Sequence, residues 1–122
     1  MKDDASAPDL RSRTKAFALR IVRMYGALPK TTEAQVLGKQ VLRSGTSIGA
    51  HYREGCRARS TAEFVSKVEV GIQELDETVY WLELLSESGI MTEAKLSGLI
   101  DEANQLIAIM VTCVKNAKHK GG

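Results

Sequence analysis

The sequence predicts an all-α protein, an up-down-up-down antiparallel four-helix bundle. Three observations carry that prediction. Apolar residues recur at helical spacing in four long segments, and no period-2 alternation competes with them. Each break between segments is followed by a helix-start signal. Only two prolines and 5% aromatic residues argue against a β-sandwich.

Helix 1 is placed at about 9–28, with Leu10, Phe17, Ile21, Tyr25 and Leu28 on one side. Ser6 or Asp9 can open it, and Pro8 is tolerated in a first turn. Helix 2, about 33–57, lines up Leu37, Val41, Gly45, Ile48 and Tyr52. Thr32-Glu33-Ala34-Gln35 reads as its capping box. Helix 3, about 61–88, carries Phe64, Val68, Gly71, Leu75, Val79 and Leu82, and Ser60-Thr61-Ala62-Glu63 is a better capping box. Helix 4, about 93–117, carries Leu96, Ile100, Ala103, Ile107, Met110 and Val114, with Thr92 as cap and a frayed tail from Lys118 to Gly122. Short connections make neighbouring helices antiparallel, and Gly89 suits a helix C-terminus.

The 122 residues fit a single domain spanning 1–122, able to bury roughly two thirds of its unfolded surface without staples. Hydrophobic residues at 43% and charged residues at 26% exclude disordered, collagenous and disulfide-scaffold classes. Cys56 and Cys113 have no metal-type spacing and suit a reducing compartment. No run of about 18 apolar residues and no signal-type N-terminus is present, so the expected address is cytoplasmic, with no membrane partner.

Charge is uneven. Residues 1–60 hold 12 Lys+Arg against 5 Asp+Glu, while residues 61–122 hold 5 against 10. At about 100° per residue, Lys39, Arg43, Arg53 and Arg57 form a rail about 27 Å long on helix 2, opposite its apolar and glycine-bearing side. Arg13, Arg20 and Arg23 add charge on helix 1. An arginine fork suits phosphate, so the rail is a candidate surface for RNA or DNA backbone. The other reading is a solvated face partly neutralised by acids of another helix. No aromatic ladder for base stacking accompanies the rail.

On helix 3, Val70, Trp81 and Leu84 lie away from the core side, with Tyr80 beside them. Such a patch marks an interface between subunits, unless a rotated helix tucks Trp81 into its own bundle. Glycine-lined helix 2 is a second candidate surface. The acids Glu69, Glu74, Asp76, Glu77, Glu83 and Glu87 read as a solvated face, free to meet a neighbour's arginines.

Enzyme chemistry finds little support. His51-Tyr52-Arg53-Glu54 reverses the order of a di-metal Glu-x-x-His pair and occurs once, His119 sits in the tail, and the glycine spacing makes no phosphate loop. No catalytic residue, metal or cofactor is therefore expected.

Arg43-Ser44-Gly45-Thr46-Ser47-Ile48-Gly49-Ala50-His51-Tyr52-Arg53-Glu54-Gly55 resembles the "R-S-x-T-S-I-x-A-N-I-x-E-G" signature of a bacterial four-helix-bundle family, the proteins encoded in intervening sequences of 23S ribosomal RNA genes. Ser60 to Phe64 looks like that family's "S-x-x-E-F" helix start, Glu74-Leu75 falls in its "E-L" stretch, and Ser88-Gly89-Ile90 matches its turn. His51 and Tyr52 depart from the usual Asn and branched aliphatic. The resemblance implies a homopentamer. It also implies kinship with the accessory variability protein of diversity-generating retroelements, which binds nucleic acid and a reverse transcriptase. The expectation for this chain is therefore a non-enzymatic homo-oligomer with an RNA or DNA partner, or a reverse transcriptase or other protein partner. The alternative is a structural or protein-docking oligomer.

Overall fold

A computed structural model describes residues 9–121. These residues form four helices, α1 (Leu10–Gly26), α2 (Thr32–Cys56), α3 (Thr61–Glu87) and α4 (Glu93–Gly121). Side-chain contacts fix the directions. Gly49 of α2 faces Thr14 of α1, while Gly38 faces Tyr25 and Leu28, so α1 and α2 run antiparallel. Ser44 meets Thr78 at one level of α3, and Gly55 meets Phe64 and Val68 at another, so α2 and α3 do too. Arg13 reaches Glu102 and Arg20 lies over Gly98, which closes α4 antiparallel to α1. Of the adjacent pairs, α1 and α4 meet least.

Local chemistry explains the helix ends. Asp9 caps α1, accepting from the Ser12 backbone N–H at 3.2 Å and from its hydroxyl at 2.6 Å. Ser6 lies outside the described residues. α1 stops at Gly26, two residues short of Leu28, because Pro29 cannot supply the next amide hydrogen. The α2 cap is Thr31, one residue before the expected Thr32. Its hydroxyl accepts from Ala34 N–H at 3.3 Å. Gln35 does not close a capping box there. Its amide donates to the Pro29 carbonyl at 3.0 Å and its oxygen accepts from the Tyr25 hydroxyl at 3.1 Å, tying the turn to α1. Ser60 caps α3 as expected, and Glu63 reaches back to the amide of Arg59. Gly89, at φ 79, turns the chain left-handed after α3, where a side chain would be strained.

The two hydrogen bonds from Ser12 hold the Asp9 carboxyl below the usual carboxylate range. A depressed folded-state pKa stabilises above the unfolded value, and that stabilisation is lost as pH falls through the folded one. The first turn of α1 should therefore fray on acidification below about pH 4. Amide exchange at Ser12 and Arg13 reads this directly. Asp9→Asn, which still caps, should remove the pH dependence.

The core lies between the four helices. Phe17, Ile21, Val41, Ile48, Val68, Leu75, Leu82, Leu85, Leu96, Leu106 and Met110 are fully buried. On α4 the buried line runs through Leu99 and Leu106, and the expected Ile100 and Ile107 are only half-buried toward its edge. The helix is thus rotated by a fraction of a turn from its simplest apolar stripe. α4 also continues to Gly121, past the tail expected to fray, and Lys118 holds Glu69 of α3 at 3.4 Å. Length and composition alone would let α4 cross a membrane. Its Leu96, Leu99, Ala103, Leu106 and Met110 are core residues of the bundle.

The glycines of α2 have an internal partner. A Cβ at Gly45 would stand 2.8 Å from Ile21 Cγ1, and one at Gly49 2.9 Å from Thr14 Oγ1. The glycine side of α2 is therefore covered by α1 and is not a second subunit interface.

Candidate nucleic-acid interface

The arginines predicted to form one rail part company in three dimensions. Arg43 leans sideways onto α3. Its Nη1 lies 3.3 Å from Glu74 Oε2 and its Nη2 3.0 Å from Glu77 Oε1. Glu74 is not part of a solvated face, since it is buried between α2 and α3. The Ser47 hydroxyl donates to it at 2.7 Å, and His51 Nε2 lies 3.9 Å away. His51 Nδ1 in turn sits 3.3 Å from Glu54 Oε1, which also takes Lys67 at 3.7 Å. One level along, the buried Thr78 hydroxyl lies 2.8 Å from Ser44 Oγ.

The signature run thus has a physical account. Arg43, Ser44, Ser47 and His51 fall on the edge of α2 that faces α3, where they fix the register of the two helices. A hydrogen bond to the Glu74 carboxylate is worth about 1.5–3 kcal/mol, whereas the more exposed Arg43–Glu77 pair adds less than about 1. Glu54 contacts His51 of its own helix and Lys67 of α3.

Arg13 is also committed within the chain. Its Nε and Nη2 fork onto Glu102 at 3.1 and 2.7 Å, and Nη2 reaches Gln105 at 3.2 Å. The Glu102 hydrogen bonds push the guanidinium pKa up. The fork closes the seam between α1 and α4, where the helices touch least.

Lys39 and Arg53 of α2, Arg57 at its C-cap, and Arg20 and Arg23 of α1 are exposed and belong to none of the ion pairs among the described residues. Arg53 is brought opposite Lys15 across a shallow groove floored by Thr14, Ala18, Gly49 and Ala50. Lys15 and the neighbouring exposed Arg11 were missed by reasoning from apolar stripes. Their signal was the same 100° spacing, which puts both on the α1 edge beside α2.

The outer side of α3 carries the other candidate surface. Tyr80 is 54% exposed and Val70 36%, while Leu84 is half-buried. Trp81 packs partly against its own core, edge-on to Tyr80 at 5.1 Å, and its buried Nε1 has no hydrogen-bond partner. Cys56 and Cys113 are half-buried, and no group of three metal-type side chains gathers among the described residues.

The fold defines the class, that of antiparallel four-helix bundles, and in this chain Arg43, Ser44 and Ser47 knit the second helix to the third. The chain belongs to the 23S rRNA-intervening sequence protein family, which it matches over residues 9–112. Among solved structures it is similar to a protein of the S23 ribosomal protein family from Bacteroides thetaiotaomicron, described as of unknown function. The two are 35% identical, the match covers 87% of this chain and 98% of that one, and the TM-score is 0.82. No curated protein matches the chain.

Proposed function

We propose that this protein is a non-enzymatic helical module that binds the phosphate backbone of RNA or DNA through the cations of α1 and α2, as a homo-oligomer. One observation carries the reading. Arg13 and Arg43 are paired with carboxylates of their own chain, yet Lys39, Arg53 and Arg57 stand exposed in no ion pair among the described residues. A cation without an internal use is free to displace counterions from a polyanion. Contacts of this kind position a nucleic acid without reading its sequence, so binding should be weakly selective and steeply salt-dependent.

The exposed Val70 and Tyr80 favour self-association, in which several copies multiply a weak contact by avidity. They also support the second reading, a structural or protein-docking oligomer. Because Trp81 is half inside its own bundle, Val70→Lys and Tyr80→Glu are cleaner probes of assembly than Trp81→Ala.

The test is a gel-shift titration with structured RNA and duplex DNA at about 50 mM and about 200 mM salt, where several phosphate contacts would cost orders of magnitude in affinity. Retention at the lower salt and its loss at the higher are expected. No retention at low salt, together with an oligomer whose mass falls as salt rises in light scattering, replaces this reading with the structural one.

A further inference from the structure

The antiparallel fold redistributes charge in a way the linear rail conceals. The α1 start, the α2 end, the α3 start and the α4 end all lie at one end of the bundle. A plane across its middle leaves residues 9–17, 47–72 and 108–121 on that side, holding 10 Lys+Arg against 4 Asp+Glu. Residues 18–46 and 73–107 on the other side hold 6 against 9. The molecule is therefore polarised along its axis. Arg43 and its carboxylates belong to the acidic end, which cuts the rail and leaves Arg53 and Arg57 joined to the basic end.

At that basic end Arg11, Lys15, Arg53, Arg57, Arg59 and Lys120 are all exposed, and none of them appears in an ion pair among the described residues. They come from three helices and a turn, and four of them line two hollows at this end. Lys15 and Arg53 line one groove, and Arg59 and Lys120, 61 positions apart in the numbering, line one hollow where the α2–α3 turn meets α4. With helices about 8–10 Å apart, these cations cover an area about 20 Å across, not a line. The aromatic residues at this end, Phe17, Tyr52 and Phe64, are buried, so no platform for stacking bases is offered there.

We infer that the basic end of the bundle, centred on Arg53, Arg57, Arg59 and Lys120, is the docking surface for the phosphate backbone of double-helical nucleic acid. This rests on the nucleic-acid reading above and moves its centre from the side of α2 to the α2–α3 turn and the last turns of α4. A cationic area of this breadth can touch phosphates on both strands of a duplex. A flexible single strand, with neither a second strand nor stacked bases to hold, gains less from it.

The experiment uses the purified full chain and an RNA duplex of about 20 base pairs, with affinity measured across salt. Arg59→Glu with Lys120→Glu should weaken binding about 50-fold near 100 mM salt and reduce the salt slope by about 2. Lys30→Glu with Lys95→Glu, at the opposite end, should stay within about threefold, as expected of charges that meet no phosphate. Arg59→Gln with Lys120→Gln is the milder second variant, and circular dichroism shows that each stays folded. If wild type binds and the Arg59/Lys120 variants bind equally well, while Arg20→Glu, Arg23→Glu and Lys39→Glu together abolish binding, the end-docking inference is overturned and the functional reading survives. If wild type fails to retain the duplex at low salt, both fall. An unstructured strand of equal charge that competes as well as the duplex overturns the duplex assignment.

Discussion

Gly45→Leu should cost about 3 kcal/mol of unfolding free energy, near the upper end for overpacking. A Cβ at this position meets Ile21 Cγ1 at 2.8 Å and Cγ2 at 3.1 Å, before the rest of the leucine is placed. Ile21 is fully buried and β-branched, with one strongly preferred rotamer in a helix, so it cannot swing aside. α1 and α2 must then separate, and the same displacement loosens Thr14 against Gly49 and Tyr25 against Gly38. The helix-propensity gain on losing a glycine, about 1 kcal/mol, offsets only part of this. Thermal unfolding should fall by about 10 °C for a chain of this size. Gly26→Ala is the control, because a Cβ there meets nothing within 4 Å. Equal stability of Gly45→Leu and wild type would mean that α1 does not lie directly on α2.

Glu74→Lys should be comparably damaging, by about 3 kcal/mol, as expected when a buried, hydrogen-bonded carboxylate is replaced by a charge that has no partner there. The substitution puts an ammonium beside the Arg43 guanidinium at a position only 12% exposed by side chain, and takes the acceptor from Ser47. Because the cause is charge and not shape, Arg43→Glu in the same chain should recover part of the loss. A double-mutant cycle in urea should show a coupling of at least about 1 kcal/mol. Arg43→Ala alone should lower stability while leaving RNA affinity within about threefold, since a side chain turned onto α3 is not one of the phosphate contacts. A large loss of affinity with unchanged stability would return Arg43 to the rail.

The contrast between Arg43 and Arg53 shows where sequence reasoning stops. The two are ten residues apart on one helix and lie within about 80° of each other around its axis. Periodicity alone assigns them to one face. What separates them is on another helix, since Glu74 and Glu77 come within reach of Arg43 only after α2 and α3 pack in a particular register. The expectation for Glu74 failed for the same reason. A carboxylate amid other acids reads as solvated, and its burial depends on Ser47 and Arg43 arriving from α2. Trp81 is similar, because a modest helix rotation decides whether an indole faces water or the core.

By itself the sequence determined the helices, their number among the described residues, their order and most of their caps, because these follow from apolar spacing and from hydroxyl or carboxylate side chains next to the amides they satisfy. It also carried the family signature. Only the tertiary structure decided that α1 covers the glycines of α2, that Arg13 and Arg43 are spent on internal carboxylates, and that basic residues from distant parts of the chain meet at one end. Charge acts through space at distances set by helix packing, and that distance is not written in the spacing of residues along one helix.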